Sequence, residues 1–201
     1  FTKAIEINPN YSDVYVNRGV AKSNLGDNAG AISDYSKAIK IDQSYTLAYV
    51  NRGIAKSNLK DYIGAISDYS KAIEIDPMYA IAYNNRGSIK DEQLQDPYGA
   101  ISDYNKAINI NPKYAYAYYN RGIAKKNISD HLGAISDYSK AIEINQNYTS
   151  AYINRGLIKD EQLQDPYGAI SDYNKAININ PKYAYAYYNR GIAKKNISDH
   201  L

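Results

Sequence analysis

Six arginines are the only ones in the chain, and each precedes a glycine: Arg18, Arg52, Arg86, Arg121, Arg155 and Arg190. A planar guanidinium meets a carboxylate through two hydrogen bonds, which a lysine cannot reproduce. The matching carboxylates stand in a recurring Ile-Ser-Asp-Tyr segment, as Asp34, Asp68, Asp103, Asp137 and Asp172. The expectation is a ladder of structural ion pairs inside the fold, with Arg52 on Asp68 and Arg121 on Asp137.

Other chemistry finds few residues to use. The chain has no cysteine, which excludes disulfides, thiolate ligands and a cysteine nucleophile. His131 and His200 are the two histidines and copies of one loop column. A ligand site would need several such groups converging with carboxylates, so exposed linker residues are the expectation there. The glycines that follow the arginines lie inside helical patterns, not in a strand-to-helix turn, and form no phosphate loop. The sequence therefore predicts no catalytic residue, no metal ligand and no cofactor, and it does not read as an enzyme. Asn10, Asn127, Asn147 and Asn196 match the N-glycosylation sequon, but asparagine is so abundant that chance matches are expected.

Bulk properties narrow the partners. A formal net charge of +3 gives no reason to expect nucleic acid or an anionic membrane surface. No apolar run approaches the roughly 20 residues that span a bilayer, so membrane insertion is not expected. A hydrophobic fraction of 44% beside 22% charged residues is that of a folded chain. Compartment stays open: cytoplasmic is the default, extracellular if the chain builds a filament. The 24 tyrosines against one phenylalanine and no tryptophan point to a repeated template.

The elements that position these residues follow from a period. Successive Arg-Gly pairs are 34, 34, 35, 34 and 35 residues apart, and Gly-Ala-Ile-Ser-Asp-Tyr recurs from Gly30, Gly64, Gly99, Gly133 and Gly168. A fixed interval of this size signals a solenoid. The longer copies carry one extra residue in the linkers Asp91–Pro97 and Asp160–Pro166, which should leave the packing register intact. Residues 89–132 recur unchanged as 158–201. Each copy reads as two helices, the first from about Tyr45 to Leu59 and the second from about Tyr62 to Ile75. Ala65, Ile66, Tyr69, Ala72 and Ile73 make the apolar stripe of the second, and Asp76-Pro77, Asn111-Pro112 and Asn180-Pro181 end it. Tyr114-Ala-Tyr-Ala-Tyr118 alternates like a strand, but the same columns read Tyr45-Thr-Leu-Ala-Tyr49 elsewhere, and helix is predicted.

The pattern resembles the tetratricopeptide repeat over the whole chain. In the copy 46–79 the family's small and large positions fall on Tyr49, Gly53, Ala65, Tyr69, Ala72 and Pro77. The resemblance implies an all-α, right-handed superhelical solenoid of antiparallel helix pairs with about six repeats. As one array it divides into a half-repeat 1–11, repeats 12–45, 46–79, 80–114, 115–148 and 149–183, and a half-repeat 184–201. Two positions depart from the family. Arg52 stands where a leucine is usual and Lys56 where an aromatic is usual, and both call for polar partners.

The family lines a concave groove with the first helix of each repeat and binds peptides there. Carried over, the groove columns are Val16, Val50, Asn84, Tyr119, Ile153 and Tyr188, and Asp13, Leu47, Ile81, Tyr116, Ser150 and Tyr185. Between them stand Asn17, Asn51, Asn85, Asn120, Asn154 and Asn189, whose amides can both donate to and accept from a peptide backbone. A structural bond to a neighbouring helix is the equal alternative for these asparagines. The tyrosines offer rigid contact area with a polar tip, although Tyr118 and Tyr187 fit packing between repeats. The lysine clamp that some members use for a carboxylate terminus is not matched, since Lys56 is offset from it.

Phe1 aligns with Tyr35 and Tyr69, and Leu201 with Leu132, so that Gly-Ala-Ile-Ser-Asp would join the ends in register. The expectation is that Phe1, Ala4 and Ile5 meet Tyr187, Ile197 and Leu201 of another copy end to end, or that the array continues past both termini. Two readings follow. One is a non-enzymatic scaffold that holds a protein or peptide on its concave face. The other is a structural subunit or segment of a self-assembling helical filament, favoured by near-identical repeats.

Overall fold

Apolar residues at helical spacing become helix throughout. The computed structural model describes residues 1–198, and among these it holds twelve α-helices and no strand. The chain divides into two compact units, Phe1–Ile110 and Asn111–Leu201.

The first unit begins with a short helix, α1 (Thr2–Ile7), and continues as three pairs: α2 (Ser12–Asn24) with α3 (Asn28–Ile41), α4 (Thr46–Asn58) with α5 (Tyr62–Ile75), and α6 (Ala80–Leu94) with α7 (Pro97–Ile110). The second helix of one pair packs on the first of the next, α3 on α4 and α5 on α6. In the second unit α8 (Ala115–Asn127) pairs with α9 (His131–Ile144) and α10 (Thr149–Glu161) with α11 (Pro166–Ile179), while α12 (Ala184–Ser198) packs on α11. The strand-like alternation at 114–118 is helical from Ala115 onward, with Tyr114 at the N-cap. Its alanines, Ala115 and Ala117, are buried, so packing decides the local conformation.

Local chemistry sets the ends of each pair. Asp27, Asp61, Asp96, Asp130 and Asp165 accept a hydrogen bond from the backbone N–H three residues on, at Gly30, Gly64, Gly99, Gly133 and Gly168. This is the aspartate N-cap that satisfies an orphan donor of the helix. A left-handed residue turns the chain just before each cap: Gly26, Lys60, Gln95, Ser129 and Gln164. Past the second helices, Asp42, Asp76, Asn111, Asn145 and Asn180 accept from the backbone N–H two residues on, forming the Asx turns that stop them.

Small residues set how closely the helices approach. An added Cβ at Gly53 would lie 2.6 Å from Cε1 of Tyr69, and Gly19 and Gly122 meet Tyr35 and Tyr138 the same way. Tyr35, Tyr69, Tyr104, Tyr138 and Tyr173 are buried, surrounded by alanines with no exposed surface such as Ala31, Ala38, Ala65 and Ala72. The longer linkers leave this register unchanged, because Gly87 faces Tyr104 and Gly156 faces Tyr173. One expectation shifts here. Residues 91–94 continue α6 instead of forming a linker, and Asp91 is buried on it.

Candidate functional site

The arginine column is built identically in five repeats. Arg18, Arg52, Arg86, Arg121 and Arg155 each donate Nε and Nη2 to the two oxygens of Asp34, Asp68, Asp103, Asp137 and Asp172. For Arg52 the distances to Asp68 are 2.9 and 2.6 Å. A lysine one turn further along the first helix meets the same carboxylate, Lys56 Nζ at 2.8 Å from Asp68 Oδ2. Lys22, Lys90, Lys125 and Lys159 repeat this contact. The position that departs from the family pattern at Lys56 is therefore the second cation of a three-residue cluster.

Further contacts hold each guanidinium. Nη1 of Arg52, Arg86 and Arg155 donates to the hydroxyl of Ser36, Ser70 and Ser139 in the preceding second helix. Each arginine also lies over the tyrosine three residues before it, from 5.2 Å at Tyr187 to 5.7 Å at Tyr15. Burial alone would raise the Asp34 carboxyl. Hydrogen bonds from Arg18 and Lys22 outweigh it and hold the group below its ordinary value. Such a carboxylate is an acceptor already saturated by cations, which suits it to locking the two helices of one pair together, while the serine bonds of the guanidinium reach the preceding pair.

Solvent meets the first helices along a different stripe. In α4 it runs Leu47, Asn51, Ile54 and Asn58, at spacings of four, three and four residues that keep it on one face. The corresponding positions are Asp13, Asn17, Val20 and Asn24 in α2, and Ile81, Asn85, Ser88 and Glu92 in α6. In the second unit they are Tyr116, Asn120, Ile123 and Asn127, then Ser150, Asn154, Leu157 and Glu161. The stripe mixes apolar and amide groups with few charges.

Part of the expected groove is corrected by burial. Val16, Val50 and Ile153 are 2% exposed and Asn84 is buried. Their column points between helices and joins the core. Tyr119 is half-buried, its ring 4.8 Å from Tyr148 and 5.7 Å from Tyr138. The column absent from the sequence reading is Val20, Ile54, Ser88, Ile123, Leu157 and Ile192, one residue past each glycine. Its signal was present in the i, i+4, i+7 step from Leu47 and Asn51.

The asparagine column divides between open positions and structural hydrogen bonds. Asn17 is exposed, while Asn51 and Asn120 are half-buried. Asn154 donates to the Tyr119 hydroxyl at 3.0 Å and thus ties adjacent first helices together. Asn85 hydrogen bonds Tyr69, and Asn189 is buried and donates to the Tyr185 carbonyl. The last is turned onto its own helix. Tyr116 is 61% exposed and packs edge-on to Tyr148 at 5.5 Å, and Tyr185 and Tyr188 are exposed. In the first unit the Tyr45 hydroxyl donates to Asp13 at 2.6 Å, and burial together with that bond pushes its ionisation up to about 12.

Of the residues expected at the ends, Phe1 and Ala4 are exposed and Ile5 half-buried on α1. Tyr187 is exposed and Ile197 half-buried on α12, and Leu201 lies outside the described residues. His131 is the first residue of α9 and half-buried, a correction to the exposed loop position expected, because Asp130 caps a helix that starts there. His200 lies outside the described residues. Among the described residues no group of three or more histidines, cysteines or carboxylates is placed to hold a metal ion. No described helix is long and apolar enough to cross a membrane.

Comparison with known proteins agrees with this geometry. A model described as "TPR repeat" matches residues 58–90, 97–128 and 167–197. Two described as "Tetratricopeptide repeat" match residues 1–33 and 115–148. No curated protein matches the chain. Among solved structures, MamA is 29% identical with a TM-score of 0.73, covering 83% of this chain and 96% of its own. YrrB, described as a TPR protein with an unusual peptide-binding site, is 24% identical at a TM-score of 0.72, with 95% and 97% covered. PilF of Pseudomonas aeruginosa is 19% identical at 0.84, with 94% and 85% covered. The last two likenesses carry the fold alone.

Proposed function

The chain belongs to the tetratricopeptide repeat family and is a protein-interaction scaffold, and on that premise we propose that the solvent-facing stripe of its first helices holds an extended peptide. The observation that carries the reading is the repeated pairing of an exposed apolar residue with an amide on one face, as in Leu47, Asn51 and Ile54. Amides bond a peptide backbone without regard to its side chains, and neighbouring apolar groups add contact area. Tyrosines at Tyr116 and Tyr185 supply the larger anchors in the second unit, in keeping with the weight of aromatic residues in interface energetics. The family fold and the saturated Asp clusters favour this role over catalysis.

Peptides selected against the full chain from a random library test it. Their cross-links are expected on the stripe, and Leu47→Lys or Ile54→Lys, at exposed positions, should weaken them at least about tenfold without changing the melting temperature. Selected peptides that cross-link only to the second helices would count against the reading.

A second reading, end-to-end self-assembly, is favoured by one observation. Residues 89–132 recur unchanged as 158–201, and near-identical copies suit a heterologous stack that does not close into a ring. Sedimentation velocity and electron microscopy across a concentration series separate the two. A chain that stays monomeric at high concentration speaks against assembly.

A further inference from the structure

One copy of the solvent-facing stripe departs from the others. The residue just past the Arg-Gly pair is Val20, Ile54, Ile123, Leu157 or Ile192 in five copies and Ser88 in the remaining one. Beside Ser88 a cavity of about 310 Å³ opens between α4 and α6. A branched side chain at this position, as the other copies carry, would project into that space. The cavity lies inside the first unit, where α5 packs on both α4 and α6.

Its lining is uncharged and of two kinds. Ile54 and Ile89 supply apolar walls and Tyr69 a ring, while Ser57, Asn58, Asn85 and Ser88 supply hydroxyls and amides. Asn85 hydrogen-bonds the Tyr69 hydroxyl, Asn58 donates to Asn28 at 3.2 Å, and Ser88 donates to Glu92 at 3.0 Å. An amide or hydroxyl with one such bond keeps further donor or acceptor capacity. The volume is at the small end for ligand pockets and suits one large side chain. A charged side chain would lose its water here without meeting an opposite charge. A purely apolar one would leave the surrounding amides and hydroxyls without the water that now satisfies them.

We propose that this cavity is the specificity pocket of the stripe and takes one tyrosine side chain of the bound peptide. The ring packs between Ile54 and Ile89, and the phenol hydroxyl both donates and accepts among the amides and hydroxyls around it. One aromatic anchor in a pocket, flanked by weaker contacts, is the usual distribution of energy in an interface. The proposal rests on the reading of the stripe as a peptide site and adds to it a single position of choice. Elsewhere the repeated amides accept a backbone of any sequence, and here a particular side chain is selected.

The test selects random-library peptides against the full chain and against its Ser88→Leu variant, with cross-linking to locate them. Leucine is the residue of the matching copy, at Leu157. There Tyr173 stays buried although its hydroxyl has no partner among the described residues, so Tyr104 should likewise tolerate the loss of Ser88. Peptides selected on the parent are expected to share a tyrosine that cross-links at Ser57 and Ser88. Replacing that tyrosine by alanine should weaken binding at least about tenfold, and Ser88→Leu should weaken the unaltered peptide as much. The alanine peptide should bind both chains alike. Stripe-bound peptides without a shared tyrosine, or held equally by both chains, would overturn the pocket and leave the stripe reading standing. A shared lysine or arginine would do the same and point to Glu92 as the selecting group. No binder at all, or binders cross-linked only to the second helices, would overturn stripe and pocket together. The peptide replacements on the parent chain decide the matter even if Ser88→Leu disturbs α6.

Discussion

Arg52, Asp68 and Lys56 explain how a polar column is tolerated where packing would otherwise be apolar. The carboxylate is buried, and its desolvation is offset only while both cations stay in hydrogen-bonding range. Replacing Arg52 by leucine leaves Lys56 in place, so the loss should fall below that of a fully stranded charge, at about 2–3 kcal/mol in urea denaturation. Arg52→Lys should recover part of it, because one of the two parallel bonds is replaced. A leucine variant as stable as the parent would show the cluster to be energetically neutral. The lowered Asp34 ionisation makes a second prediction at this scale. A depressed native value means that its stabilisation is complete above about pH 4, the ordinary aspartate range, and is lost as pH falls through the native value. The difference in melting temperature between the parent and Asp34→Asn should therefore shrink on acidification from pH 7 to 2. The arginine and aspartate columns were legible from their shared period. The lysine and serine contacts were not, since lysine and serine occur throughout the chain and only the helix crossing brings these particular ones to the guanidinium.

At the scale of elements, the same substitution should act with opposite signs in two places. Gly53→Ala drives a methyl against the Tyr69 ring inside a pair whose neighbours cannot retreat, and overpacking of this kind costs about 1–3 kcal/mol. Gly191→Ala meets open space on α12, and there the better helix propensity of alanine should stabilise by up to about 1 kcal/mol. Thermal unfolding of the two single variants checks both, and equal shifts in one direction would contradict the packing argument. Helix bounds were well read in advance, as Tyr62–Ile75 shows, because the aspartate caps and Asx turns are strong local signals. The groove was read less well. Two apolar columns flank each arginine and glycine, one through Val50 and one through Ile54. Periodicity places both on the helix but does not tell which is covered by the next element. Val50 is, and Ile54 is left facing solvent.

For the whole molecule, a stack in which each pair touches only its neighbours should unfold from its least covered elements. In the first unit α1 contains no buried residue, whereas α3, α4 and α5 share one apolar cluster through Tyr35, Tyr49 and Tyr69. Native-state hydrogen exchange should therefore show α1 opening with little free energy and α4 and α5 protected at least about a hundredfold more strongly. Gly53→Ala sharpens the test, because it weakens the contact between α4 and α5 without touching α1. If stability is a sum of repeat and nearest-neighbour terms, the variant should raise exchange most in α4 and α5 and less in α2. An equal rise in every helix of the unit would instead mean that the ion-pair clusters couple it into one cooperative block. The serine bonds from Arg52 and Arg86 to the preceding repeat are the contacts that would carry such coupling.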